Sequence, residues 1–381
     1  MKLCCITVIL LILPLWLNNF NGITPEMQIS LQKQVLLNET MDRQLVLYSG
    51  NCVCWEQSNG IYYLKLNNQV VHRVIKTNSS YSNSSFTSPK LFNNTLAWNE
   101  ASGNGSSSSI TLNITSNKTM ELKKGYLIFG VSEHNVLCYS NKTFYLFHFD
   151  NLVYRQIDAD IKDVDELYMN DQFIVWQESI NPNISRHYRV CYYDIEKNEK
   201  RIISNEDSTA IAPYICGTSI VWAEVKYGGN WYGNASIILY DIITNQSKRL
   251  LSNIEFDPYP NCLSIYEDNI VYKEARNSSL ILYNITQNKS YLLTTPVYSI
   301  NIWHNNIVYQ DALGIYLLVF EFIFPPVKQD HIIEKNSMLL PVFIELVLII
   351  SSAIVTYYLL KRKKSLYIQN SLRTRNGHHD K

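Results

Sequence analysis

The 381-residue sequence lacks the short motifs by which several enzyme classes are recognised. It has no G-x-S-x-G nucleophile elbow, no H-E-x-x-H zinc motif and no S-x-D-x-G box of the sialidase type. No glycine-rich phosphate loop follows a predicted strand, and the chain holds only 13 glycines. We therefore predict a protein that is not an enzyme and that needs no cofactor and no metal ion.

The chain also lacks net charge, with 33 basic and 33 acidic residues, but the charges are unevenly placed. Residues 361–381 hold seven Lys or Arg and one acid, and they begin with "KRKK". The preceding 23 residues, 338–360, are apolar except for Glu345. As a helix this stretch can cross a hydrocarbon core of ~30 Å. The positive-inside rule then predicts a transmembrane helix with a cytoplasmic tail.

The N-terminus, "MKLCCITVILLILPLWLNNFNG" (1–22), has one base and a continuous apolar core. This pattern predicts a secretory signal peptide, with an uncleaved anchor as the alternative. The chain would then be a single-pass, type I protein of the cell membrane, with residues 23–325 outside the cell and residues 326–337 as a juxtamembrane linker.

N-glycosylation sequons support this topology independently. All 14 lie between the two apolar segments, and none lies in the basic tail. We therefore predict a glycosylated exterior. The sites are Asn38, Asn78, Asn83, Asn93, Asn104, Asn113, Asn117, Asn141, Asn183, Asn234, Asn245, Asn277, Asn284 and Asn288.

Few cysteines remain beyond the signal segment, and their spacing does not match a zinc site. An even number outside the cell suggests disulfides, and buried thiols are the alternative. The six are Cys52, Cys54, Cys138, Cys191, Cys216 and Cys262.

An internal repeat is the strongest pattern in the sequence. A short apolar stretch ending in Trp or Tyr recurs seven times, at spacings of 37 to 50 residues, which is typical of propeller blades. Short β-branched runs separated by turn residues favour four strands per unit over helices. The aromatic anchors are Trp55, Trp98, Tyr139, Trp176, Trp222, Tyr272 and Tyr309.

The last repeat has three predicted strands and then leaves through "FPPVKQD". At the other end of the chain, "LQKQVLLNE" (31–39) resembles the outermost strands of other repeats, such as "NQSKRLLSNIE" (245–255). We therefore predict an all-β fold: a seven-bladed β-propeller ectodomain closed by an N-terminal outer strand, followed by one C-terminal transmembrane helix.

The segments "IVWQE…YYDIEKNEKRII" and "IVWAE…ILYDIITNQSKRLL" carry a resemblance to a known repeat class. Over roughly residues 27–325 the chain resembles the TolB-like β-propeller repeat, although it lacks the usual S-P-D-G turn and has few glycines. The resemblance implies a membrane-anchored surface propeller of bacterial or archaeal type, with a binding or scaffolding role more than a catalytic one.

An acid follows nearly every anchor. Because it recurs from blade to blade, we interpret it as a structural partner for backbone donors or for Lys and Arg of an outer strand, and not as a pair of glycosidase carboxylates. These acids are Glu56, Glu100, Glu178, Glu224, Glu274 and Asp311.

A long loop, "VKYGGNWYGN" (225–234), carries Tyr227, Trp231 and Tyr232. Aromatic rings on a loop tip can stack on sugars or peptides, so these three residues are our candidate binding site; alternatively, they fold onto their own blade.

These observations predict a surface propeller that binds a protein or glycan partner and no nucleic acid. Two alternatives stay open. One is an extracellular hydrolase, which would need two or three non-repeated carboxylates or a histidine at the central mouth of the ring. The other is an accessory subunit of a membrane complex, acting through Glu345 and its helix.

Overall fold

A computed structural model describes residues 28–37, 46–57, 60–74, 87–101, 107–157, 164–180, 187–226, 234–258 and 261–323. These residues form 28 β-strands arranged as seven four-stranded sheets, and the compact unit spans Ile29–Glu321. The seven-bladed propeller predicted from the repeat is therefore confirmed. Each anchor aromatic lies on the second strand of its blade.

The first three blades follow one another along the chain. Their strands are β2 (Val46–Ser49), β3 (Cys52–Gln57), β4 (Gly60–Lys65) and β5 (Val70–Arg73) in blade 1; β6 (Thr87–Phe92), β7 (Thr95–Ala101), β8 (Ser107–Asn113) and β9 (Lys118–Glu121) in blade 2; and β10 (Leu127–Val131), β11 (Asn135–Ser140), β12 (Thr143–His148) and β13 (Val153–Ile157) in blade 3.

The next three blades repeat this order. Their strands are β14 (Val164–Met169), β15 (Phe173–Ser179), β16 (Tyr188–Asp194) and β17 (Glu199–Ile202) in blade 4; β18 (Ser208–Cys216), β19 (Ser219–Lys226), β20 (Ala235–Asp241) and β21 (Gln246–Ile254) in blade 5; and β22 (Leu263–Tyr266), β23 (Asn269–Lys273), β24 (Leu280–Asn284) and β25 (Lys289–Thr294) in blade 6.

Blade 7 joins the two ends of the propeller. It consists of β26 (Ser299–Trp303), β27 (Asn306–Gln310), β28 (Ile315–Ile323) and, beside β28, the first strand β1 (Gln28–Leu37). The predicted closure by an N-terminal outer strand is thus confirmed. The Nζ atom of Lys33 on β1 lies 3.9 Å from the ring centre of Tyr316 on β28, a cation–π contact that helps hold the closing strand.

The core lies between the blades, because the middle strands are buried on both faces. Alternate residues of β19 face opposite neighbours: Trp222 packs in a cluster with Val175 of blade 4, whereas Val221 packs with Ile270 of blade 6. Outer strands such as β5 are mostly exposed. The seven innermost strands contact one another in sequence, and β26 meets β2 to complete the ring.

Four predicted elements fall on residues that are not described: the signal segment 1–22, the juxtamembrane linker 326–337, the transmembrane stretch 338–360 and the basic tail 361–381. Within the described ranges, no helix has the length and apolar character needed to span a membrane.

Candidate functional site

The predicted binding loop cannot be placed. Tyr227, Trp231 and Tyr232 lie outside the described residues, between the end of β19 at Lys226 and Asn234 just before β20. Their proposed role stays a prediction.

The repeated acids have the structural role predicted for them where their contacts are defined. On β15, the indole Nε1–H of Trp176 donates to the Glu178 carboxylate (2.9 Å), and Lys200 of the outer strand and Arg189 donate to the same carboxylate at 2.8 and 2.6 Å. In blade 5, the Trp222 indole donates to Glu224 over 3.1 Å. The W-x-E pattern therefore joins an indole and a carboxylate on one face of a strand.

The six cysteines are thiols and form no disulfides. The suggestion of disulfides is therefore wrong, and the alternative of thiols is confirmed. Five of them are buried. Burial raises the pKa of Cys52 to about 11 and the pKa values of Cys138 and Cys191 to about 12. Such thiols are poor nucleophiles at neutral pH.

The sequons differ in accessibility. Asn38, Asn78, Asn83, Asn104 and Asn183 lie outside the described residues. Exposed side chains belong to Asn113, Asn117, Asn141, Asn234, Asn245, Asn277 and Asn288, and Asn93 is half-buried.

Asn284 is the exception among the described sequons. It is 5% exposed, its Nδ2 donates to Asn269 over 2.9 Å, and its Oδ1 accepts from the backbone N–H of Gln287. The atom to which a glycan would attach is therefore already engaged inside blade 6.

A cavity with a volume of about 430 Å³ lies at the propeller axis. All seven innermost strands, or the turns beside them, contribute to its wall. Its size falls within the range of about 300–1,000 Å³ that is typical of small-molecule sites. We identify this axial cavity as the candidate functional site.

Polar side chains line the interior of the axial cavity. Lys90 comes from blade 2, Glu166 and Tyr168 from blade 4, and Tyr214 from blade 5. The Tyr168 hydroxyl donates to Oδ1 of Asn261, 2.7 Å away, which links blade 4 to the start of blade 6. The rings of Tyr168 and Tyr214 pack with their centres 4.6 Å apart.

Asn301, on the innermost strand of blade 7, completes this polar wall. It is 4% exposed, and its Oδ1 has no hydrogen-bond partner within the described residues. Because a buried oxygen without a partner is costly, this atom marks a place where a donor is missing.

Enclosure by protein shifts the ionisation of these groups. Burial lowers the pKa of Lys90, and the nearby Glu166 carboxylate partly offsets that effect. Burial raises the pKa of Tyr168 well above its usual value, and the charge of Glu166 adds to the rise. Both tyrosines at the site, including Tyr214, therefore stay protonated and able to donate at neutral pH.

Aromatic rings form one rim of the axial cavity. Phe92, Tyr266 and Trp303 are each the last residue of an innermost strand, and His304 follows Trp303 directly. Trp303 lies edge-on to Phe92 at 5.8 Å and packs against Tyr266 at 5.3 Å. The Tyr266 hydroxyl lies 3.2 Å from Nε2 of His304. We call these four residues the aromatic rim.

One surface grouping has the spacing of metal ligands: Glu133, His134 and Asp171. Asp171 Oδ1 already accepts hydrogen bonds from the Ser132 hydroxyl, the His134 backbone and the Asn135 amide, which tie blade 3 to blade 4. These bonds give Asp171 a structural role.

The sequence did not reveal the axial cavity, because its residues come from seven distant strands. Each of them reads locally as part of an ordinary strand. The available signals were weak. They were a lysine in the strand "TSPKLF", which has few apolar residues, and an asparagine in the apolar strand "SINIW".

Comparison with known proteins supports the fold. No protein-family model and no curated protein sequence matches the chain. Among solved structures, it is similar to the tricorn protease (TM-score 0.54, 8% identity), covering 81% of this chain but only 36% of the protease chain. It is also similar to an oligogalacturonate lyase from Vibrio parahaemolyticus (TM-score 0.52, 8% identity, covering 77% of this chain and 97% of the lyase).

A third similar structure is the β-propeller domain of the Trilobed protease from Pyrococcus furiosus (TM-score 0.54, 10% identity, covering 75% of this chain and all of that domain). That domain is described as having an open velcro topology, whereas β1 joins blade 7 here. The predicted likeness to TolB-like propellers is confirmed at the level of the fold.

These comparisons correct one prediction. From its missing motifs we expected a protein that is not an enzyme, yet the similar structures include proteases and a lyase. At these identities the likeness shows the fold alone, and it does not support the prediction that the chain is not an enzyme. The missing motifs excluded particular active sites and not enzymatic activity in general.

Proposed function

We propose that this chain is a single-pass, N-glycosylated surface protein whose propeller binds a protein or glycan partner at the aromatic rim and axial cavity. The observation that carries the proposal is the pairing of a cavity of about 430 Å³, whose largely apolar wall includes a few polar side chains, with a rim of partly exposed rings. Binding sites combine apolar area with a few placed polar groups, and this site has both.

The surface location is supported by the sequence at both ends. An apolar leader, 14 one-sided sequons and a basic tail after an apolar stretch all favour a propeller outside the cell. In that topology the axial cavity is open to partners in the exterior or the envelope.

The binding proposal is tested by capture from detergent-solubilised membranes. Replacing Trp303 or the exposed His304 with Ala should abolish co-purification of the partner, because rim aromatics carry much of the energy of such contacts. Leu292→Ala, which alters an exposed residue of the outer strand β25, is the control. Unchanged capture by both rim variants, with the fold intact by melting temperature, would place the binding face elsewhere.

A second candidate is an extracellular hydrolase that uses the same cavity. The favouring observation is that Glu166 and Lys90 are non-repeated ionisable groups inside the cavity, with His304 at its rim. Burial lowers the pKa of Lys90, and a lowered pKa suits a lysine that takes up a proton near neutral pH. Cleavage of a captured partner that Glu166→Gln abolishes, while capture persists, would favour this candidate.

A further inference from the structure

We propose that the axial cavity is a carbohydrate site, in which the ring of one sugar residue stacks on the aromatic rim and directs its hydroxyl groups to Asn301, Tyr214 and Lys90. The inference rests on the binding function proposed above and names the chemical class of the ligand. It concerns the interior of the cavity, and a partner that merely touched the rim would not need these polar groups.

The argument begins with the unpartnered oxygen of Asn301. Its Oδ1 can only accept a hydrogen bond, so a matching ligand brings a donor to this point. The Asn301 and Ser264 side chains also act on the Tyr214 hydroxyl, since together they partly offset the burial that raises the pKa of Tyr214. Oδ1 of Asn301 is the atom left for a ligand.

The other polar groups of the wall can donate hydrogen bonds to a ligand. Lys90 can only donate, and the Tyr214 hydroxyl can donate or accept. An occupant of the site must therefore present donors and acceptors on one small scaffold. Sugar hydroxyls do both, because each one carries a hydrogen and two lone pairs.

The aromatic rim supplies the apolar surface of the site. A pyranose ring has C–H bonds on its faces and hydroxyl groups around its edge. Trp303 and Tyr266 present partly exposed rings at the point where the cavity opens, so a sugar face can cover them while its edge reaches the polar wall. A purely hydrophobic ligand would leave Asn301 Oδ1 without a partner.

Charge does not restrict the ligand to acidic sugars. Lys90 favours a carboxylate, but Glu166 lies close enough to act on Lys90 and balances its charge. Neutral sugars and uronic acids therefore both fit, and their relative affinities report how far Lys90 is engaged by Glu166.

The test is a titration of the purified full-length protein in detergent. The probes are glucose, galactose, N-acetylglucosamine, glucuronate and galacturonate, with their homodisaccharides, and binding is followed by calorimetry and by saturation-transfer NMR. We expect at least one probe to bind, and Asn301→Leu to weaken it by about tenfold, the effect of losing one buried hydrogen bond. Tyr214→Phe, which deletes a single hydroxyl group, is the second variant in case Asn301→Leu does not fold.

Tyr309→Phe is the matched control. It also deletes one buried tyrosine hydroxyl, and Tyr309 does not line the cavity. It should change affinity much less than the two cavity variants do. Full affinity in Asn301→Leu and Tyr214→Phe would overturn the proposal.

Failure of this inference is distinguishable from failure of the proposed function. If no sugar binds, but short peptides do and the rim variants still abolish capture, then the carbohydrate assignment is wrong and the binding role stands. If sugars bind and the rim variants capture the partner normally, the cavity assignment stands and the partner binds at another face.

Discussion

The Glu178 carboxylate gathers one indole and two cationic side chains inside blade 4. It is 2% exposed, whereas Arg189 and Lys200 keep more of their surface in water. Burial raises its pKa, but hydrogen bonds from Lys200, Trp176 and Arg189 more than offset burial, and the net pKa is lowered. The ionised form therefore stabilises the fold.

Replacing Glu178 with Gln should destabilise the propeller by about 3 kcal/mol, because two cations lose their partner. A lowered folded-state pKa means that the stabilisation is complete above the unfolded pKa and is lost as pH falls through the folded value. In the variant, the free energy of unfolding should therefore fall less steeply as the pH is lowered. Urea denaturation at several pH values measures both effects.

The control for that experiment lies in the same blade. Glu199 pairs with Arg201 on the surface, where ion pairs contribute little. Glu199→Gln should leave the denaturation midpoint close to that of the parent protein. Equal losses in the two variants would mean that burial of Glu178 does not matter.

Several sequons are also turn residues, which explains part of their abundance. In blades 4, 5 and 6 a tyrosine on the third strand donates to an asparagine five residues later: Tyr193 to Asn198, Tyr240 to Asn245 and Tyr283 to Asn288. All three asparagines have positive φ, a conformation that asparagine tolerates better than most residues do. Asn198 belongs to no sequon, so the turn alone accounts for it.

Glycan mapping should separate two neighbouring sequons. We expect Asn288 to be modified, because it is exposed, and Asn284 to be unmodified, because its Nδ2 is bonded to Asn269 within blade 6. Mass spectrometry after enzymatic glycan release measures both sites in one peptide region. A glycan on Asn284 would contradict the packing of this hairpin, and an entirely unmodified chain would contradict the surface location.

At the scale of elements, the sequence predicted the anchor strands well because their signal is local. The runs around Trp176 and Trp222 combine β-branched residues, an aromatic and a following acid, and they form β15 and β19. The innermost strand β18 was harder. The run "PYIC" (213–216) suggests a strand that begins at Pro213, whereas β18 begins at Ser208. The pairing register shifts between Ile211 and Tyr214, so Pro213 lies in a bulge without a ladder partner, where its missing N–H costs no ladder hydrogen bond.

The closing strand β1 makes a separable contribution to stability. Without it, β28 would become an exposed edge with unpaired backbone groups. A chain beginning at Asp42 should melt more than about 5 °C below one beginning at Ile23, or should aggregate, since the loss amounts to several kcal/mol. Equal melting temperatures would show that the ring does not depend on β1.

A smaller change tests the same element. Lys33→Ala removes the cation–π contacts with Tyr316 and Tyr309 and keeps the strand itself. It should cost about 0.5–1 kcal/mol, well below the effect of deleting β1. Calorimetric melting of the three proteins side by side orders the two contributions.

At the scale of the whole molecule, the axial cavity arises only when the ring closes. Lys90 and Asn301 are far apart in sequence and meet because blade 7 joins blade 1 and blade 2 follows it. No local pattern encodes such a juxtaposition. The fold class could therefore be predicted from the repeat, while the candidate site could not. Because the cavity forms only in the closed ring, loss of β1 should weaken ligand binding as well as lower the stability of the fold.

The membrane topology is the broadest prediction, and it depends on residues at both ends of the chain. The apolar leader, the sequons and "KRKK" at 361–364 predict a propeller outside the cell and a tail inside it. Protease added to intact cells should therefore remove the propeller and leave an epitope on residues 361–381 intact, because the membrane shields the tail. Permeabilised cells serve as the control, since the tail epitope must then disappear. Loss of the tail epitope from intact cells, with the propeller retained, would reverse the topology and would put the axial cavity on the cytoplasmic side, out of reach of external partners.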